Sequence, residues 1–377
     1  MSRPVTTIAG FAGAGMGMLL LAGCDLGPKD SVQTGFRGAG LQQITDRGNL
    51  KEAAAIPPAP YPLPPDGGQT AGQAYQNIKV LNNLSKDRFD HLMAEITQWV
   101  VPANAPAAEQ SCSYCHNPEN MASDEKYPKI VARRMIEMTR TVNSKWASHV
   151  KDTGVTCYTC HRGNGVPEYV WANALAEPKP DSIRGNKRGQ NTPDPNVGYA
   201  SLPSGGFQEY FAGAANVRVA SSKALPSPDH VVSIKDAEKS YGIMMHVSSA
   251  LGVNCTYCHN SQSFRAWNLS RAQRGTAYYG IRMVREINNE YITSLASVFP
   301  ANRKGPQGDV LKVNCTTCHQ GVSKPLAGVS MIDQAPTLKG PPVATAGAAA
   351  GEAIPDAFAN PAAMTGKNEP APTAVRE

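Results

Sequence analysis

The sequence predicts a mainly α-helical chain of two similar halves, with long irregular connections and little sheet. Three observations lead there. Four Cys-x-x-Cys-His pentapeptides fall into two alternating types, helical-looking segments stand upstream of them, and 34 glycines and 30 prolines in 377 residues leave much of the chain as loop, linker or tail. Aromatic residues make up only 7%, so side chains alone do not fill a large dry core. Another bulky group is expected inside. The formal net charge of +6 is spread along the chain without a block of like charges, so nothing marks a nucleic-acid partner.

Residues 1–23 read as a secretory signal, with Arg3, a short apolar run and the ending Leu21-Ala22-Gly23-Cys24. That ending is similar to the bacterial lipobox, which would make Cys24 the acylated first residue of the mature chain and its membrane anchor. Asp25 would favour the inner membrane. The alternative is an uncleaved transmembrane helix, for which residues 5–23 are barely long enough. Residues 24–70, with Pro57-Pro58, Pro60, Pro62 and Pro64-Pro65, form an extended Pro-rich arm. Residues 71–170 and 230–325 are the two halves, joined by 171–229. Residues 326–377 are a low-complexity tail, rich in Ala, Pro, Gly and Thr, with too little apolar surface to fold alone.

The halves read as an internal duplication. The first and third motifs run Cys-His-Asn (Cys115-His116-Asn117, Cys258-His259-Asn260). The second and fourth run Cys-His-x-Gly (Cys160 to Gly163, Cys318 to Gly321). Arg134-Met135 and Arg282-Met283 stand at similar places upstream of the latter pair. Gly154 and Gly252, shortly before Cys157 and Cys255, are placed to end preceding helices.

Of nine cysteines, one is Cys24 and the rest form the pairs Cys112/Cys115, Cys157/Cys160, Cys255/Cys258 and Cys315/Cys318, each followed by a histidine: His116, His161, His259 and His319. Two thiols at this spacing reach the two vinyl groups of one porphyrin, and the adjacent imidazole binds its iron. The chain is therefore expected to be a multihaem c-type cytochrome with four covalently bound haem c groups. In zinc sites the histidines usually keep a spacing of their own. Redox dithiols would not each need an adjacent histidine.

The second axial ligand tunes each potential: methionine raises it and histidine lowers it. Candidates are His91, His149, His230 and His246, with Met93, Met135, Met138, Met244, Met245 and Met283 on upstream helical segments. On an unbroken helix Met135 and His149 lie about 21 Å apart, so they cannot serve one iron. Duplication alone would assign Met283 to the fourth haem.

The chain resembles the tetrahaem cytochrome subunit of purple-bacterial photosynthetic reaction centres. The resemblance covers about residues 70–325 and rests on the lipobox, the two-plus-two motif layout, Val131 to Arg140, Gly154 to Gly163 and Leu251 to Asn260. It implies Met93, Met135 and Met244 as sixth ligands of haems one to three and His149 for haem four, in place of Met283. It also implies the function: an electron carrier, not an enzyme, at the periplasmic face of the inner membrane. Electrons would come from a soluble carrier, either cytochrome c2-like or a high-potential iron-sulfur protein. They would go to the photo-oxidised special pair held by the reaction-centre core subunits. The third haem would lie nearest that pair, with Arg274 close to it. The competing classes are a multihaem reductase with an open iron and a lipid-anchored carrier without a photosynthetic partner.

Overall fold

Local sequence signals and burial together produce a helical framework with three separate apolar clusters. The structure, a computed structural model, describes residues 28–33, 42–173, 194–202, 206–217 and 234–340. Cys24, the signal and His230 lie outside the described residues. The described residues begin with an antiparallel strand pair, β1 (Lys29–Gln33) with β2 (Gln42–Asp46), in which Ser31 faces Ile44. Helix α1 (Arg47–Ala53) follows. The proline run Pro57 to Pro65 of the expected arm follows α1. There the Tyr61 carbonyl accepts a hydrogen bond from the buried His91 Nε2 at 2.9 Å, which lays the arm on the first long helix.

The short α2 (Ala71–Ala74) leads to α3 (Lys86–Val100), and α4 (Tyr127–Lys145) starts with Pro128 in its first turn, where a missing N–H costs nothing. α4 does not continue to His149. It ends at Trp146, whose backbone leaves the helical region (φ −102°, ψ 25°), and α5 (Ala147–Val150) carries His149 separately. The unbroken-helix spacing between Met135 and His149 is therefore corrected. Among the described residues the remaining α-helices are α6 (Cys157–His161), α7 (Ile234–Leu251), α8 (Ala272–Glu286) and α9 (Cys315–His319), and a two-residue ladder pairs β3 (Val170–Trp171) with β4 (Lys312–Val313). Among the described residues no helix is long and apolar enough to cross a membrane.

Two sequence expectations fail here. The connecting segment is no mere linker, because Trp171, Phe207, Tyr210 and Phe211 join Ile243 and Val247 of α7 in one buried cluster. The tail does not begin at 326, because Leu326, Met331, Ile332 and Leu338 pack on Leu92, Trp99 and Ile136. A few large side chains at wide spacing suffice when they fall into a surface that already exists. The halves are also not independent: Val142 and Trp146 share the second cluster with Tyr279, Met283 and Ile287. Lys145 pairs with Glu286 at 2.7 Å, and Arg134 stacks over Tyr291.

Candidate haem sites

The two kinds of motif fold differently, in the alternation the sequence predicts. The second and fourth form the one-turn helices α6 and α9. Each opens on a capping arrangement: Thr156 N donates to Thr159 Oγ1 at 3.0 Å, and Asn314 N to Thr317 Oγ1 at 2.9 Å. Each closes on a left-handed residue, Arg162 and Gln320, both at φ 49°. The following glycine then donates its N–H to the end of an upstream helix: Gly163 to Trp99 O of α3 and Gly321 to Ala250 O of α7, each at 2.8 Å. The first and third motifs are instead 3-10 turns, Ser111–Tyr114 and Cys255–Tyr257.

All four motif histidines use one nitrogen in the same way. His116 Nδ1 donates to Met121 O at 3.0 Å, His161 to Asn164 O at 2.8 Å, His259 to Phe264 O at 2.8 Å and His319 to Val322 O at 3.0 Å. A carbonyl can only accept, so Nδ1 carries the proton and Nε2 keeps its lone pair. That is the tautomer and orientation a metal-binding imidazole needs. Burial pushes His319 down to about 4, with the His149 ring adding to the effect, and also lowers His161.

His149 shows the same pattern: its Nδ1 donates to Thr276 O at 2.8 Å. Its ring centroid lies 6.0 Å from that of His319. Two metal–nitrogen bonds of about 2 Å each together with two imidazole radii would fit that distance, so the two rings could hold one iron between them. The ring seats on α8 where only glycine leaves room, because a Cβ at Gly280 would stand 2.5 Å from His149 Cε1. Met93 packs on the cluster that Cys157 touches, and Met244 on the cluster that Cys315 touches. Met135 and Met138 both border the second cluster, whereas Met283 is buried inside it.

Between these clusters lies a largely apolar cavity of about 1160 Å³, reached by the first, second and fourth motifs together with Met93, Met135 and His149. Its lining fits flat apolar macrocycles better than water. Of the third motif only Tyr257 lines it, and Met244 does not. Burial holds the Cys157 and Cys315 thiols up at about 12, and Cys115 and Cys258 at about 11. Protonated thiols are poor metal ligands. Among the described residues no group of three or more His, Cys, Asp or Glu could hold a metal ion.

One pair departs from the expected attachment. Cys160 and Cys318 form a disulfide, with Cα atoms 4.4 Å apart. A sulfur in that bond cannot also be a thioether. The pairing follows from α6 meeting α9, which brings the second cysteines of motifs two and four together.

Other candidates have structural roles. His91 sits 3.5 Å from Glu95 inside α3, and His246 is enclosed by Phe207 and Phe211. Arg274 stacks on Trp267 at 3.9 Å and donates to Ser270 Oγ and Arg265 O, so it braces the loop after the third motif. Sequence reading missed two asparagines. Asn143 brackets Val155, accepting its N–H at 2.7 Å and donating to its carbonyl at 2.9 Å; Asn288 does the same for Val313 at 2.8 and 2.9 Å. Each valine lies two residues before a motif cysteine. The asparagines stand 12 and 25 residues before those valines, so no common spacing announced them.

The family model of the photosynthetic reaction centre cytochrome C subunit matches residues 25–339. The chain belongs to this family. It is 49% identical over 332 residues to the photosynthetic reaction center cytochrome c subunit of Rubrivivax gelatinosus, covering 88% of this chain and 89% of the relative. Identity to the subunit of the same name from Thermochromatium tepidum is 43%, over 85% of this chain and 78% of the relative. A Chloroflexus aurantiacus protein, cytochrome c-554, is 26% identical over 70% and 74%. As a reaction-centre cytochrome subunit, the protein is an electron carrier that partners the core subunits. Its cofactor is covalently bound haem c, and it is not an enzyme.

Proposed function

We propose that this reaction-centre cytochrome holds four haems, takes electrons from a soluble periplasmic carrier and delivers them to the photo-oxidised special pair. The carrier is a cytochrome c2-like protein or a high-potential iron-sulfur protein. The protein works at the periplasmic face of the inner membrane, anchored through acylated Cys24. One observation supports the four-site reading: each motif histidine commits Nδ1 to a carbonyl and keeps Nε2 free, as His149 and His246 also do. One-electron exchange at iron is the chemistry the bound haem supplies.

The chain's residues attach, orient and enclose. Cys112/Cys115, Cys157/Cys160, Cys255/Cys258 and Cys315/Cys318 each hold one macrocycle, so Cys160 and Cys318 carry separate thioethers in the haem-loaded protein. His116, His161, His259 and His319 are the first axial ligands; Met93, Met135, Met244 and His149 are the second. The 6.0 Å spacing of His149 and His319 favours that pair over Met283. The halves descend from a duplication. Supporting this, Trp99 and Ala250, which receive the motif glycines, each stand six residues after Met93 and Met244.

The test is a haem count on purified protein, then a redox titration with low-temperature electron paramagnetic resonance for wild type and His149→Met. Four low-spin haems, one low-potential component of which changes in the variant, are expected. A high-spin haem in the wild type would favour the reductase, and an unaltered variant spectrum would return the fourth haem to Met283.

A further inference from the structure

The carbonyl of Met121 carries two donors. It accepts His116 Nδ1–H at 3.0 Å and the Lys129 ammonium at 2.8 Å. Lys129, on the first turn of α4, is only 7% exposed. Its Nζ also donates to Ser123 O at 2.8 Å and lies 3.4 Å from Asp124 Oδ1. That carboxylate is shared, since Arg133 pairs with it at 2.8 Å and Lys79 at 2.9 Å. Three cations therefore meet Asp124, and the most deeply buried of them also sits on the carbonyl that orients the His116 ring. The third motif is built differently, because Arg274 donates to Arg265 O, the carbonyl after the one His259 uses.

Holding a loop does not require a buried charge, and burying one costs desolvation that a neutral side chain would avoid. We propose that Lys129 is a positioning residue that raises the reduction potential of the group held at His116. This rests on reading Cys112, Cys115 and His116 as a haem site. Two effects act with one sign. Reduction lowers the charge of the site by one electron, so a nearby cation in a poorly screened interior favours the reduced state. The ammonium also draws on the same carbonyl lone pairs that polarise the His116 N–H. Weaker polarisation leaves the imidazole a poorer electron donor to iron, and the reduced state gains again.

The experiment is a redox titration of the full-length haem-loaded protein, resolved into its components, for wild type, Lys129→Arg, Lys129→Gln and Lys129→Met. Peptide mass spectrometry across Cys112 to His116 accompanies it. The glutamine variant keeps hydrogen-bond donors without charge, and arginine keeps the charge. One component should fall in the glutamine and methionine variants, its electron affinity dropping about tenfold, or ~59 mV for one electron. The arginine variant should retain the wild-type value. Wild-type potentials in the glutamine and methionine variants, with haem on the peptide, would overturn the proposal. An equal shift in all three variants would leave Lys129 as a loop brace only. A peptide without the haem mass would instead overturn the reading of the motif itself.

Discussion

Substituting Gly280 by alanine tests the seat of His149 without touching a ligand. The new Cβ would stand 2.5 Å from Cε1, 2.8 Å from Nδ1 and 3.2 Å from Nε2 of the imidazole. Ordinary carbon contacts begin near 3.5 Å, so ring or helix must retreat by about 1 Å. Metal–nitrogen distances tolerate about 0.2 Å, and the ring is also tied to Thr276 O at 2.8 Å. Alanine gains up to ~1 kcal/mol of helix propensity over glycine, while overpacking costs ~1–3 kcal/mol, so the clash prevails. The expected result is partial loss of the low-spin bis-imidazole signal in electron paramagnetic resonance, with a high-spin signal appearing and one component of the redox titration displaced. Spectra and potentials identical to wild type would refute His149 as a ligand held against α8.

Two further outcomes follow from buried polar groups. Replacing Asn143 or Asn288 by alanine leaves the backbone N–H and C=O of Val155 or Val313 unpaired and should cost ~1–3 kcal/mol each, read as a lower guanidinium midpoint; unchanged midpoints would make these brackets incidental. Burial pushes Glu95 up from 4.5 to about 7, so between those values the folded protein keeps a proton that the unfolded chain releases, and stability falls as pH rises through that window. Glu95→Gln should flatten this slope, worth ~1–3 kcal/mol in all, and a midpoint-versus-pH curve as steep as wild type would sink the assignment.

The sequence alone determined the chemistry of attachment. Cys-x-x-Cys-His is a local constraint, complete within one turn, and so are the alternating Cys-His-Asn and Cys-His-x-Gly endings, which fold as 3-10 turns and one-turn helices respectively. Helix ends were legible where a glycine takes a left-handed backbone, as Gly252 does at φ 61° beside Gly321 O. Other features depend on residues far apart in the chain. The break at Trp146 that swings His149 towards His319, the seat at Gly280 and the meeting of α6 with α9 exist only once the halves pack together. The tail was misread for a related reason. Leu326, Met331, Ile332 and Leu338 are too sparse to form a core, yet each fills a site on a surface already built by α3 and α4. The net worth of an apolar side chain is set by what it meets, and that partner is chosen by the fold and not by its neighbours in sequence.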